Sequence, residues 1–284
     1  MNKSHALKLI NLTLPETITM EKLFEYITGK IHYYDQGRGD VIVLLHGYLE
    51  TSEVWNCFTK KLSEKFRIIS VDLPGHGKSN NYGEVLTMEF IATLIKNLLE
   101  SLNIKKVFLI GHSLGGYITL AFTELYPDML SGYCLFHSQP FADSPETLEK
   151  RKREIYLVKE GNKDLMIADN ISRMFATSNL QKFSDAFQKI KEAALSIKGE
   201  GIIAVLKGMM ARPSRLSVME SGKVPCLWIL GSMDNYINCE QIQTKVKLAA
   251  NAKVVILKNS GHMGYIEEEV KSVKIIADFV NNLK

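Results

Sequence analysis

Cysteines are few in this sequence, and none stands at the spacing of a metal site or a redox pair. The 284 residues contain four, Cys57, Cys134, Cys226 and Cys239, and none is close to another. Cys134 and Cys226 fall in apolar segments typical of buried strands, so we interpret the cysteines as reduced structural residues of a cytoplasmic protein. This pattern argues against a disulfide framework and against a cysteine metal site.

Long apolar runs and a strong charge of one sign are also missing. No apolar segment approaches the ~20 residues that a membrane-spanning helix needs, and the first 20 residues lack the apolar core and cleavage site of a secretory signal. With 35 Lys and Arg against 31 Asp and Glu, the net charge of +4 is too small and dispersed to indicate nucleic-acid binding. We therefore expect a cytoplasmic protein with no membrane span and no nucleic-acid partner. The oligomeric state is not predicted.

Short apolar segments alternate regularly with helix-like ones along most of the chain. Residues 24–35 predict a hairpin. Apolar segments typical of strands buried on both faces follow at residues 40–47, 66–75, 106–113, 132–138, 224–232 and, more weakly, 252–262. Apolar residues recur every three or four positions in the helix-like segments 52–65, 87–102, 115–126, 239–250 and 264–283. The alternation predicts an α/β protein with a doubly wound, mostly parallel sheet.

Residues 139–215 break this alternation. They contain no clear strand but several helix-like stretches, the first of which has Ser144 as a candidate N-cap and Pro145 as its first helical residue. We expect a helical cap here, inserted between two strands of the sheet. The core domain would then consist of residues 1–138 and 216–284.

A serine stands where one apolar strand meets a helix, in the segment VFLIGHSLGGYIT of residues 107–119. A serine hydroxyl becomes a useful nucleophile when a base takes its proton and its oxygen is exposed to substrate. A sharp turn between strand and helix exposes it, and the glycines Gly111 and Gly115 supply the small neighbours that such a turn needs. We therefore predict that Ser113 is a nucleophile.

The partners of a serine nucleophile are expected after later strands, in the order serine, acid, histidine. Asp234 follows the strand-like segment 224–232, and His262 follows the segment 252–262. His262 would take the proton from Ser113, with a pKa near the ordinary ~6.5 of histidine, and Asp234 would hold its imidazole in place. Asp143, after the preceding strand, is the fallback for the acid.

Backbone N–H groups should stabilise the oxyanion of a tetrahedral intermediate. The residue directly after the nucleophile, Leu114, is the first candidate donor. Tyr48, in the loop after the strand VIVLLHG, is the second.

At this point the sequence resembles the α/β-hydrolase fold superfamily. The resemblance rests on the ordered segments LLHGYLETSEVW, VDLPGHGKS, GHSLGG, GSMDNYI and SGHMGYIEE, and it covers the chain from about residue 25 onward except for the expected cap. It implies an eight-stranded sheet with Ser113, Asp234 and His262 at its carboxyl edge. It also implies a lid, which would be residues 139–215.

A Ser–His–Asp site without a metal motif points to acyl transfer, and we expect a carboxylesterase-like serine hydrolase that uses no cofactor. The resemblance also allows an enol-lactone hydrolase, a hydrolase of carbon–carbon bonds in a diketone acid, an aminopeptidase, a cofactor-free perhydrolase and a non-catalytic receptor for a small ligand. Dehalogenases and epoxide hydrolases of this fold use Asp as nucleophile, so Ser113 argues against both.

The expected substrate is a small, mainly apolar acyl compound. The cap supplies candidate apolar contacts to it, and the end of a strand supplies a polar one: Met166, Met174, Phe175, Met209, Met210 and His137. Arg212 and Arg215 are an alternative, since a guanidinium group could hold a substrate carboxylate, but we expect both to be solvated surface residues.

Overall fold

A computed structural model describes residues 20–283. The segment considered above for a secretory signal lies outside the described residues except for its last residue. Within the described part of the chain, no helix has both the length and the apolar composition that crossing a membrane requires.

Eight strands form one sheet in the order β1-β2-β4-β3-β5-β6-β7-β8. They are β1 (Met20–Tyr26), β2 (Gly29–Gly37), β3 (Val41–Leu45), β4 (Arg67–Val71), β5 (Val107–His112), β6 (Leu130–Phe136), β7 (Cys226–Gly231) and β8 (Ala252–Leu257). β2 runs antiparallel to β1 and β4, and all other neighbours are parallel. The predicted eight-stranded, mostly parallel sheet is confirmed.

Buried central strands explain why the apolar segments lack an alternating pattern. Every residue of β5 and of β7 is buried, because helices cover both faces of the sheet. Among the helices of this core are α1 (Asn56–Leu62), α2 (Met88–Ser101) and α3 (Leu114–Leu125). α2 begins after Thr87, whose side chain accepts the N–H of Phe90 and so caps the helix.

The segment between β6 and β7 is helical. Residues 139–215, called the helical insertion below, contain α4 (Pro145–Lys159), α5 (Lys163–Ser172), α6 (Ser184–Ser196) and α7 (Gly199–Ala211). α4 begins as its sequence predicts, with the Ser144 hydroxyl accepting the N–H of Thr147 and with Pro145 in the first turn. The short α8 (Leu216–Ser221) leads back to the sheet.

Two C-terminal helices differ from their sequence-based expectation. The helix expected over 239–250 ends early, as α9 (Cys239–Gln243). The segment 264–283 divides into α10 (Gly264–Glu267) and α11 (Glu269–Asn281), because Glu268 has the non-helical angles φ −128° and ψ 50°. The short α10 begins two residues after His262, directly after the loop that carries it.

Candidate active site

Ser113 occupies the turn between β5 and α3, in a strained backbone conformation with φ 47° and ψ −109°. A Cβ atom on Gly111 would lie 2.2 Å from the carbonyl oxygen of Gly115, so the tight turn depends on glycine. The N–H of Ser113 donates to the carbonyl oxygen of Phe136 at 3.0 Å, and the carbonyl oxygen of Ser113 accepts from Ser138 Oγ at 2.7 Å. The last residue of β6 and the segment that follows it thus hold the strained turn through two hydrogen bonds.

Asp234 and His262 meet through a short hydrogen bond. His262 Nδ1 lies 2.7 Å from Oδ2 of Asp234. The other carboxylate oxygen, Oδ1, accepts the N–H groups of Tyr236 at 2.7 Å and Ile237 at 3.0 Å. These three contacts aim the carboxylate at the imidazole.

Electrostatics at this pair favour an ionised carboxylate. Burial alone would raise the pKa of Asp234, but the adjacent His262 and His137 rings outweigh burial and hold that pKa well below its usual range. Burial likewise opposes a charged His262, yet the Asp234 carboxylate outweighs it and raises the pKa of His262 above its ordinary value.

Ser113 and His262 line one cavity of about 720 Å³. No hydrogen bond joins the Ser113 hydroxyl to His262 among residues 20–283. Such bonds are often long or poorly aligned before substrate binds. The structure therefore places the predicted nucleophile and base at one cavity, without the hydrogen bond between them.

One predicted oxyanion donor follows Ser113 directly in the chain, and the other lines the same cavity. Leu114 is the first residue of α3, so its N–H has no acceptor within the helix. Tyr48 lines the cavity, and neither its N–H nor that of Leu114 donates to another group in the described part of the chain. The loop that carries Tyr48 is held by His46, whose Nε2 accepts the N–H of Leu73 at 2.9 Å.

Glu50 and His112 form a buried link that the sequence analysis did not identify. Glu50 Oε2 accepts the N–H of Gly47 at 2.6 Å and lies 3.1 Å from His112 Nδ1. The other nitrogen, Nε2 of His112, lies 2.8 Å from the carbonyl oxygen of His262. A carbonyl oxygen can only accept, so Nε2 carries a proton and donates it. A neutral ring then has no second proton for Nδ1, so the contact between Nδ1 and Glu50 Oε2 requires one proton that the two groups share. The link ties the Tyr48 loop and the Ser113 turn to the backbone of His262.

Of the expected substrate contacts, two methionines line the cavity: Met174 and Met209. Phe175 is fully buried and stacks on Phe183 at 6.4 Å, so it belongs to the packing of the helical insertion. Met210 is half-buried but is not part of the cavity wall. Its neighbour Met209 lines the wall instead, because successive side chains on a helix point in different directions.

His137 also lies elsewhere than expected. Its ring is fully buried beside Asp234 and is not part of the cavity wall. A potential metal-ligating set, His137, Asp234 and His262, brings three atoms within 4.8 Å of one another. His137 Nε2 accepts the N–H of Gly264 at 3.1 Å, so the neutral ring carries its proton on Nδ1 and has no free nitrogen for a metal.

The two arginines considered for a substrate carboxylate are engaged within the protein. Arg212 pairs with Asp143 at 2.8 Å and packs over the ring of Tyr117. Arg215 pairs with Glu89 and Glu124. The expectation that both are solvated surface residues is wrong, because both guanidinium groups are buried and paired with carboxylates of the protein. Neither arginine lines the cavity.

Asp143, the fallback acid, is also engaged. It accepts hydrogen bonds from Arg151 at 2.7 Å and pairs with Arg212. His262 is bonded to Asp234 instead.

The cavity wall is more polar than the methionines of the sequence suggest. Its charged side chains are Glu50, Asp143, Glu146, Lys150, Arg151, Glu154, Arg173 and Lys245. All but Glu50 and Lys245 belong to the helical insertion. The Tyr236 ring lies between this charged rim and the base, 4.9 Å from the ring of His262 and 5.0 Å from the Lys150 ammonium.

Comparison with known proteins identifies the family. Residues 40–269 match the family described as the alpha/beta hydrolase fold. The chain belongs to that family.

Several similar proteins bear the names of hydrolases. A thermophilic esterase from Thermogutta terrifontis is 26% identical with a TM-score of 0.87, over 94% of this chain and 99% of that chain. A pimeloyl-[acyl-carrier protein] methyl ester esterase of Wigglesworthia glossinidia brevipalpis is 26% identical over 257 residues, which cover 86% of this chain and 95% of the relative. An enol-lactonase from Burkholderia xenovorans shares the fold, with a TM-score of 0.84 and 21% identity over 92% of this chain and all of that chain. This α/β-hydrolase thus has hydrolytic relatives along most of its length.

Proposed function

We propose that this α/β-hydrolase is a serine hydrolase that cleaves a carboxylic ester or a related acyl bond. The observation that carries the proposal is the 2.7 Å hydrogen bond between His262 and Asp234, on the same cavity as the strained Ser113. Nucleophilic acyl transfer requires a base held by a carboxylate and a serine hydroxyl that open onto the same cavity.

The proposed reaction has two halves. In the first, Ser113 Oγ attacks the substrate carbonyl while Nε2 of His262 takes the hydroxyl proton. The N–H groups of Tyr48 and Leu114 stabilise the oxyanion, and collapse of the intermediate expels the leaving group, which receives the proton from His262. In the second half, His262 takes a proton from water as the water oxygen attacks the carbonyl of the acyl-enzyme. Collapse of this second intermediate breaks the bond to Ser113 Oγ, which receives the proton back from His262, and the carboxylic acid is released.

Asp234 supports both halves without becoming protonated. Its carboxylate holds Nδ1–H of His262, which leaves Nε2 as the nitrogen that accepts the proton. When His262 becomes charged, the carboxylate stabilises the imidazolium.

We propose that the helical insertion acts as a cap and selects a small or medium substrate that carries polar groups. The supporting observation is the set of charged side chains that it contributes to the 720 Å³ cavity. Met174 and Met209 add an apolar part to the wall, so an acyl chain remains compatible with it. This replaces the mainly apolar substrate expected from the sequence.

The decisive experiment is labelling with a fluorophosphonate, followed by mass spectrometry of the modified peptide. The reagent reacts with a serine that a histidine activates, so we expect a single adduct on Ser113 and loss of activity toward short p-nitrophenyl esters. Ser113→Ala should abolish both, whereas the control Ser101→Ala at the exposed end of α2 should change neither. An adduct on another residue would contradict the assignment of Ser113. Tight binding of a small ligand by a chain that hydrolyses no ester would favour the receptor instead.

A further inference from the structure

His137 contributes to the site from outside the cavity. It directly follows β6, and its ring is fully buried. Nδ1 of this ring lies 3.5 Å from Oδ2 of Asp234, the oxygen that His262 also contacts. This distance is longer than an ordinary hydrogen bond, but Nδ1 has no other hydrogen-bond partner in the described part of the chain.

The position of the proton on His137 follows from its other nitrogen. Nε2 lies 3.1 Å from the backbone nitrogen of Gly264, which can only donate. Nε2 must therefore accept, and the neutral ring carries its proton on Nδ1, directed at Asp234. Burial lowers the pKa of His137 to about 4 although Asp234 opposes the shift, so the ring is neutral near physiological pH.

Space for this ring depends on the backbone conformation of His137 and on two neighbouring glycines. His137 has φ 46°, in the left-handed region that residues other than Gly adopt uncommonly, although Asn, Asp and His are enriched there. A Cβ atom on Gly264 would lie 2.4 Å from Nε2 of His137, and one on Gly231 would lie 2.9 Å from its Cε1. Two glycines and a strained residue thus hold the imidazole against the acid.

We propose that His137 is a positioning residue, whose Nδ1–H holds the Asp234 carboxylate in the orientation that directs His262. The inference rests on the proposed function, in which Asp234 acts through His262. Asp234 then lies between two imidazoles, one that exchanges protons with the substrate and one that stays neutral. A neutral donor holds the carboxylate in place without adding a positive charge. A positive charge at this point would lower the pKa of His262 and make it a weaker base.

Titratable groups around His137 lie at or after the carboxyl ends of three strands. Asp234 follows β7 and His262 follows β8, with its ring centre 5.8 Å from that of His137. His112, at the end of β5, lies 6.2 Å away. Glu50 and Glu267 also raise the pKa of His262. The same groups surround each His137 variant, so a difference between two variants reports the new side chain.

The test compares His137→Asn with His137→Asp. The two side chains have the same shape, and both tolerate a left-handed backbone. Asn can keep an N–H directed at Asp234, whereas Asp places a second carboxylate there. We expect His137→Asn to keep kcat within about threefold. We expect His137→Asp to lower kcat by roughly 10- to 100-fold with little change in KM.

The pH profile gives the readout that loss of packing would not produce. A negative charge at residue 137 stabilises the imidazolium of His262 and so raises its pKa. Because His262 must be neutral to accept a proton, the acid limb of kcat should move to higher pH in His137→Asp and stay in place in His137→Asn. NMR titration of the His262 Cε1 proton should show the same shifts, and it requires no substrate.

Equal losses in both variants with an unmoved His262 titration would overturn the proposal, and so would wild-type behaviour of both. Thermal unfolding checks that each variant folds. If His137→Asp does not fold, His137→Gly, which accepts φ 46° and lacks a donor, should have a lower kcat than His137→Asn, and equal values would refute the proposal. The proposed function fails separately if fluorophosphonate does not label Ser113 in the wild-type protein. In that case the NMR titration still decides the role of His137.

Discussion

The Nδ1 atom of His262 lies 2.7 Å from Oδ2 of Asp234, although the residues are 28 positions apart in the chain. β7 and β8 pair in parallel, with Gly231 opposite Leu257, so both strands end at the same edge of the sheet. The loops that follow them carry the acid and the base, and the parallel register brings the two side chains together. Ser113 reaches the same edge at the end of β5.

Ser113→Ala tests the nucleophile. We expect kcat for a short p-nitrophenyl ester to fall by roughly 10⁶-fold, because removal of the nucleophile disables the triad as a unit. Steady-state kinetics measures the loss, and circular dichroism checks the fold. A decrease of only severalfold in a folded variant would reject Ser113 as the nucleophile.

The dependence of activity on pH should reflect the raised pKa of His262. The imidazole must be neutral to accept the Ser113 proton, so activity rises with pH as His262 loses its charge. Asp234 raises this pKa, which places the midpoint of kcat/KM above the ordinary ~6.5. Asp234→Asn removes the carboxylate charge and should move the midpoint to lower pH while reducing kcat by roughly 10⁴-fold. A profile measured between about pH 5 and 9 that is flat, or that moves upward in the variant, would contradict this assignment.

Glu50→Gln tests the buried link to His112. The substitution keeps the shape of the side chain but removes the group that shares a proton with Nδ1 of His112. Both side chains are fully buried, so we expect the free energy of unfolding to fall by about 3–5 kcal/mol. Urea denaturation measures it. The exposed Glu53 provides the control, since Glu53→Gln should change stability by less than about 0.5 kcal/mol. Equal stability of the two variants would show that the link contributes little.

Gly115→Ala tests the close packing of the Ser113 turn. A Cβ atom there would lie 2.3 Å from the carbonyl oxygen of Leu45, a backbone atom that cannot move aside alone. We expect loss of folding or displacement of α3, with loss of activity. Gly161→Ala is the control, since no atom lies within 4 Å of its Cβ position. Its φ of 79° should cost only about 1–2 kcal/mol. Expression and thermal unfolding compare the two, and a fully active, stable Gly115→Ala protein would contradict the steric argument.

The helical insertion shows where prediction from sequence stops. Ser144 and Pro145 predict the start of α4, because capping is decided by neighbouring residues. The cavity wall was predicted less well: Met174 and Met209 line it, whereas Phe175 packs inside the insertion. Met174 and Phe175 follow each other in the turn after α5, so no helical periodicity distinguishes the side chain at the cavity from the one that packs inside.

The sequence by itself determined the sheet, the order Ser113, Asp234, His262 and their places after three strands, since apolar periodicity and glycine turns are properties of local segments. Tertiary structure alone decided which polar groups pair. In the folded chain, Arg212 and Arg215 pair with carboxylates of the protein, and Glu50 contacts His112. His137 lies beside Asp234. The physical reason is that a buried charge or imidazole takes its partner from whichever segment the folded sheet brings within a few ångströms. That distance depends on the packing of residues up to 150 positions apart.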